Sequence, residues 1–190
     1  MAGELRTDRL LLRRWRAEDR PAFAAINADA RVMEFFPALL TAAQSDALAD
    51  LIDAHFERHG FGLWAVEIPG VSPFAGFIGL MVPAFAAPFT PCVEIGWRLA
   101  AAHWGRGYAV EGARAALSLA FGEFGLDEIV SFTVPENIRS RRVMERIGMR
   151  QDVAGDFDHP AASGAFRRHV LYRMARLRSP GHVSEHQNAR

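Results

Sequence analysis

A single cysteine, Cys92, occurs in the 190 residues. No intrachain disulfide can form, and cysteine usage points to a reducing compartment. Net charge is also missing, because 22 basic residues are balanced by 22 acidic ones. The basic excess that holds nucleic acid is therefore absent, and no nucleic-acid partner is expected. No stretch approaches the ~20 apolar residues that cross a bilayer, so no membrane partner is expected either. No apolar run follows a basic segment at the start, so we expect no signal peptide and a cytoplasmic location. Internal repeats and long linkers are likewise lacking. Half of the residues are hydrophobic, enough to bury the core of one domain.

Pattern and punctuation predict the elements. A strand is expected over 10–15, and Glu18 and Asp19 suit the first turn of a helix running to about Ala28. Thr41 followed by Gln44 has the form of a capping box. The helix it opens carries Leu48, Leu51, Ile52, His55 and Phe56 at helical spacing and stops at Gly60. Strands follow at 61–68, 74–82 and 92–99, with a proline-rich loop at 83–91 before the last. An amphipathic helix over 109–124 shows Val110, Ala113, Leu117 and Ala120 on one face. A strand at 128–134 leads to a helix capped by Asn137 and closed by Gly148, and two more strands are expected at 150–156 and 166–175. This order describes a mixed α/β domain over residues 1–178, an antiparallel meander joined to a strand–helix–strand unit. The polar residues 179–190 read as a disordered tail.

The sharpest local feature is the turn Trp104-Gly105-Arg106-Gly107-Tyr108-Ala109 between a strand and a helix. Two glycines allow φ > 0 and a close backbone approach. Successive N–H groups, the helix N-terminus and Arg106 at the rim would hold a diphosphate. On spacing alone a tight turn without a ligand is the favoured reading, because short Gly-x-Gly turns are common. The third glycine of a dinucleotide fingerprint is lacking, as is the Gly-Lys-Ser/Thr ending of a nucleotide-hydrolase loop, so a nucleotide enzyme is disfavoured.

Three motifs in order carry a resemblance: Glu94-Ile95-Gly96-Trp97; the glycine turn with Glu111; and Asn137-x-x-Ser140 leading to Met144-Glu145-Arg146-Ile147-Gly148-Met149. Together they resemble the GNAT superfamily of N-acetyltransferases, nearest to the ribosomal-protein-alanine type, over about 5–177. The resemblance implies a mostly antiparallel, splayed sheet flanked by helices. Acetyl-CoA would lie in the splay, with no metal. Backbone at Trp97, Arg98 and Leu99 would pair with the pantetheine arm. Residues Trp104, Gly105, Arg106, Gly107, Tyr108 and Ala109 would hold the pyrophosphate, and Asn137, Ser140 and Arg141 would complete the cofactor site. Two positions depart from the superfamily: Trp104 opens the loop in place of Gln or Arg, and Met144 stands where many members have a tyrosine acid.

The reaction implied is direct attack of a primary amine on the thioester, and a protonated amine must first lose a proton. Glu94, an acid in an apolar strand, is the candidate base; it reads alternatively as a surface acid or a packing partner of Arg98. Asp158 and His159 are other candidates. Ser140 would donate to the leaving thiolate or satisfy a helix amide, and Asn137 would cap the helix and orient a ligand. Glu111 would support the helix through its dipole. Cys92 has no paired histidine nearby and reads as a small core residue. The acceptor mouth is expected at 31–37 and 83–91, both rich in phenylalanine and proline. These suit a partly apolar amine or a protein N-terminus better than a polyamine, although the same aromatics would also serve as core or a dimer contact. The state would be monomer or homodimer. The other reading is an acyl-CoA-binding module without turnover.

Overall fold

Apolar runs with period two build the centre of the molecule. In the computed structural model, which describes residues 4–177, these are β3 (Leu63–Ile68), β4 (Ser72–Met81) and β5 (Glu94–Leu99), an antiparallel meander. The tail expected from 179 lies outside the described residues. Before the meander come β1 (Glu4–Arg6), β2 (Leu11–Arg13), α1 (Asp19–Asn27) and α2 (Ala42–His59). After it come α3 (Tyr108–Gly122), β6 (Glu128–Thr133), α4 (Ile138–Arg146), β7 (Arg150–Gln151), β8 (Phe157–Asp158) and β9 (Arg168–Ala175). The strands form one open sheet in the order β1-β2-β3-β4-β5-β6-β9-β7, with β8 also on β9. Every pairing is antiparallel except β5 with β6.

Alternation along β4 sends neighbouring residues to opposite faces. Phe77 meets Phe23 of α1, with ring centroids 6.0 Å apart. Ile78 meets α3, where a Cβ on Gly112 would sit 2.5 Å from its Cδ1. The sheet is thus covered by helices on both faces, and Trp64, Ile78, Leu80, Ile95 and Ile129 are fully buried between them. His55 fastens α2 to the sheet: Nδ1 lies 2.9 Å from the Phe61 carbonyl, and Nε2 accepts from the Val82 amide at 2.9 Å. One tautomer, with the proton on Nδ1, satisfies both bonds.

Two expected strands are cut to three residues or fewer. The strand expected over 10–15 ends at Arg13 because that buried guanidinium turns to Asp19, Glu67 and the Pro73 carbonyl at 2.8–2.9 Å. Trp15 leaves the strand to donate its indole N–H to Leu63 O at 2.7 Å. The exposed partner strand β1 was not foreseen; three residues are too few for a periodic signal. The strand expected at 150–156 breaks after Gln151, where Asp152 accepts the Gly155 amide at 3.2 Å and closes a 3₁₀ turn.

The capping box at the start of α2 forms as expected. Thr41 Oγ1 accepts from the Gln44 amide at 3.2 Å, and Gln44 Oε1 accepts from the Thr41 amide at 2.9 Å. Thr41→Ala removes the side-chain acceptor and is expected to cost about 1 kcal/mol. Urea unfolding should show a lower midpoint at unchanged slope. An unchanged midpoint would mean that packing alone fixes this helix start.

Candidate active site

The sheet opens between β5 and β6. These strands share one register pair, Glu94 with Val130, and the Val130 N–H donates to Val93 O at 2.9 Å. Next along, Ser131 Oγ donates to Ile95 O at 2.9 Å, so a side chain spans the gap where the backbones part. Beyond it the alternation of β5 leaves the N–H and C=O of Trp97 facing the gap. A cavity of about 740 Å³ fills the opening, within the range of small-molecule sites. Gly96, Trp97, Arg98 and Leu99 line one side of it, and Ser131, Phe132 and Thr133 the other.

The glycine turn forms one end of this cavity. Gly105 has φ 73° and Gly107 has φ 83°, a region that side-chain-bearing residues rarely enter. Gly107 caps α3 without any side-chain acceptor, so the first-turn amides keep their hydrogens free. Trp104 donates its indole N–H to Leu99 O at 2.8 Å and ties the turn to β5. From behind, Glu111 accepts from Thr7 Oγ1 at 2.6 Å and Arg9 Nε at 2.7 Å, while Arg9 Nη1 donates to the Arg106 carbonyl at 3.0 Å. Burial alone would raise the Glu111 pKa; these hydrogen bonds outweigh it and hold the carboxyl below its ordinary value. Its role thus extends past a helix dipole: it clamps the β1–β2 turn onto the glycine turn.

α4 supplies the third wall. Asn137 Oδ1 accepts from the Ser140 amide at 3.2 Å, the capping role expected of it. Both residues line the cavity, and the Ser140 hydroxyl has no hydrogen bond among the described residues. Arg139, Arg142 and Arg146 also line it. Arg141 does not: its guanidinium is held by the Pro135 carbonyl at 3.0 Å and the Tyr172 hydroxyl at 3.3 Å, which corrects its placement in the cofactor site. Spacings of three and four put 139, 142 and 146 on one helical face and leave 141 off it, a signal present in the sequence. Arg106 is exposed outside the cavity, and only its carbonyl takes part in the turn.

Glu94 lies at the narrow end of the splay. Its carboxyl has no hydrogen bond or ion pair among the described residues, and its remaining accessible surface opens on the cavity. It does not pair with Arg98, whose Nη1 donates instead to Asn27 Oδ1 at 2.6 Å. Burial pushes the Glu94 carboxyl up to about 8. Of the other candidate bases, His159 lines the cavity beside His169, ring centroids 5.1 Å apart, and burial lowers both pKa values. Asp158 is instead bound to Arg167 at 2.9 Å and Arg168 at 3.6 Å. Cys92 is half-buried; burial, with Glu94 nearby, pushes its thiol up to about 11, which removes it as a nucleophile near neutrality.

The expected acceptor mouth is half realised. Val32, Phe35, Phe36 and Pro37 line the cavity, but no residue of 83–91 does. Phe85 and Phe89, both half-buried, pack instead on Phe132 and Phe157, at 4.7–6.1 Å between centroids. The segment before β9 takes their place, with His159, Ala161, Ala162 and Phe166 on the wall.

Comparison with known proteins identifies the family and the fold. The family model described as "Acetyltransferase (GNAT) domain" matches residues 9–150. The chain belongs to the GNAT acetyltransferase family. This GNAT chain is 31% identical over 146 residues to the Bacillus subtilis protein named N-acetyltransferase YnaD, covering 77% of this chain and 82% of that one. A GNAT-family acetyltransferase structure from Bacillus anthracis superposes with TM-score 0.74 at 27% identity, covering 91% and 98% of the two chains. A Mycobacterium smegmatis RimJ structure in complex with CoA-disulfide shares the fold, with TM-score 0.70, 22% identity and coverage of 91% and 86%. The mixed, mostly antiparallel open sheet with four helices is the fold of these GNAT neighbours.

The Glu94 environment has a consequence for stability. A carboxyl raised in the folded state binds a proton there that the unfolded chain has already released. Between pH 4.5 and about 8 the folded protein therefore holds more protons, and its stability falls as pH rises through this window. Glu94→Gln should remove that slope. Unfolding free energies at pH 5, 7 and 9 should converge on those of the wild type at pH 5 and exceed them at pH 9. Parallel curves for the two proteins would show that Glu94 titrates normally.

Proposed function

We propose that this protein moves an acetyl group from acetyl-CoA to a primary amine by direct attack within a ternary complex. The observation that carries the reading is the continuous cavity from the glycine turn, along the unpaired edge of β5, to Glu94. A diphosphate on the free amides of Tyr108, Ala109 and Val110 satisfies donors that α3 leaves without partners. Arg139, Arg142 and Arg146 offset its charge from the facing wall. The backbone of Trp97 offers the pantetheine arm the donor and acceptor that β6 does not use. Two neighbours that share the fold support this ligand class: the RimJ structure with CoA-disulfide, and MccE in complex with acetyl-CoA and AMP.

In the reaction the acceptor nitrogen loses a proton to Glu94, directly or through water. Its lone pair attacks the thioester carbonyl, the C–N bond forms, and the C–S bond breaks. A base raised to about 8 by burial is matched to this task near neutral pH. Met144 is buried and has no hydrogen to donate, so Ser140, with its hydroxyl free on the cavity wall, would donate a hydrogen bond to the leaving thiolate.

Glu94→Gln should bind CoA with unchanged Kd and lose about 10²–10⁴ in turnover. Release of thiol from acetyl-CoA in the presence of an amine panel, set against calorimetric CoA affinity, reads both quantities. Wild-type kcat/KM should rise with pH through an apparent pKa near 8 that the variant lacks. Unchanged kcat in Glu94→Gln removes this residue from the chemistry. CoA binding without release across the whole panel would make the protein an acyl-CoA-binding module.

Gly107→Val forces a branched side chain to φ 83° with its Cβ 3.4 Å from Arg9 Nη2, which should distort the turn whose amides would hold the diphosphate and abolish CoA affinity. A folded Gly107→Val protein with wild-type Kd for CoA would move the cofactor elsewhere.

A further inference from the structure

Glu94, Gly96 and Arg98 alternate onto one face of β5, opposite Met81, Gly79 and Phe77 of β4. This is the face covered by α1. Between the two charged residues the floor is bare: a Cβ on Gly96 would meet nothing nearer than Glu94 Oε1 at 3.8 Å. At ~3.3 Å per residue the Cα atoms of 94 and 98 are about 13 Å apart.

Arg98 at the far end of this floor is a cation with no anion. Its guanidinium lies over the Phe36 ring at 4.3 Å and the Phe77 ring at 5.5 Å. Its one hydrogen bond is to the neutral amide of Asn27. Nε is buried with no partner among the described residues, and no carboxylate there lies within ion-pairing distance. Burial lowers its pKa to about 10, which still leaves it charged at neutral pH. Enclosing a guanidinium in this way is costly unless a negative group completes it, and the open side of Arg98 is the cavity.

We infer that Arg98 receives an anionic group carried by the acceptor, so that the substrate class is an amine bearing a carboxylate or phosphate several bonds from its nitrogen. The inference rests on the proposed acetyl transfer. The amine lies at Glu94, the chain crosses Gly96, and the anion sits against the guanidinium between Phe36 and Phe77. A polyamine would set a second cation against Arg98, which excludes that class.

The test compares acceptors that differ only in the anion: 6-aminohexanoate with the neutral 6-aminohexanamide, and their four- and eight-carbon homologues. The acid should be preferred in kcat/KM by about ten- to a hundredfold, the range for one charge-assisted contact, and mainly through KM. In Arg98→Met the acid-to-amide ratio should fall to about one, and Arg98→Lys should keep part of it. The matched 6-aminohexyl phosphate assigns the source of the anion: whichever of acid and phosphate has the larger kcat/KM names it. Equal rates for acid, phosphate and amide at every chain length in the wild type overturn the inference, as does a ratio that survives Arg98→Met. If Arg98→Met does not fold, the wild-type comparison decides alone. If no amine is acetylated, the proposed function fails, and calorimetric Kd values of 6-aminohexanoate and its amide on the CoA-loaded protein still decide the role of Arg98.

Discussion

The parting of β5 from β6 is the constraint on which the site depends. Parallel neighbours normally continue their ladder; here it stops after one register pair, and Ser131 caps Ile95 with a hydroxyl. Everything functional is arranged around the backbone groups thus released. The crossover helix α3 starts at the wide end of the gap, so its free amides face the same cavity as the unpaired strand edge. The Trp104 indole bonded to Leu99 O keeps the glycine turn in register with that edge. A protein that closed this ladder would gain hydrogen bonds and lose its cavity.

The same strand carries two isolated ionisable side chains, and their isolation has opposite effects. Burial makes Glu94 a better proton acceptor near neutral pH by disfavouring its anion. Burial of Arg98 cannot discharge it, because even a value of about 10 leaves the guanidinium protonated. One residue therefore stores basicity and the other stores unmet charge. They do not cancel each other, since Arg98 is turned to Asn27 and Phe36 instead of along the strand. The zero net charge of the chain conceals this local asymmetry, because elsewhere arginines and carboxylates pair at the surface, as Arg20 does with Asp50 and Arg14 with Glu57.

What the sequence revealed was local and periodic. The box at Thr41 and Gln44, the cap at Asn137, and the meander of β3, β4 and β5 are each specified within a few residues, and each stands where the pattern put it. The glycine turn and Glu94 were legible for the same reason. What stayed hidden depends on pairs far apart in the chain. Thr7 and Arg9 reach Glu111 across about a hundred positions, and Arg98 reaches Asn27 across 71, distances at which no pattern in one sequence speaks. Loops fared worst. Packing on Phe132 and Phe157 consumed the phenylalanines of 83–91, while His159, in the segment before β9, stands on the cavity wall.

Glycines separate the demands of the fold from those of a ligand. At Gly79 a Cβ would stand 2.1 Å from the Gly62 carbonyl, so strand packing by itself excludes any side chain. At Gly96, directly across the ladder, φ is not positive and the space above is open. Neither backbone conformation nor a neighbouring atom requires glycine there, and a larger residue would add apolar burial and strand propensity to β5. The sheet forgoes that stabilisation at the one position on this face between the two lone ionisable groups. If Arg98 receives the anion of an acceptor, as inferred above, a substrate chain lying flat across the strand would account for the missing side chain and would link Glu94 to Arg98.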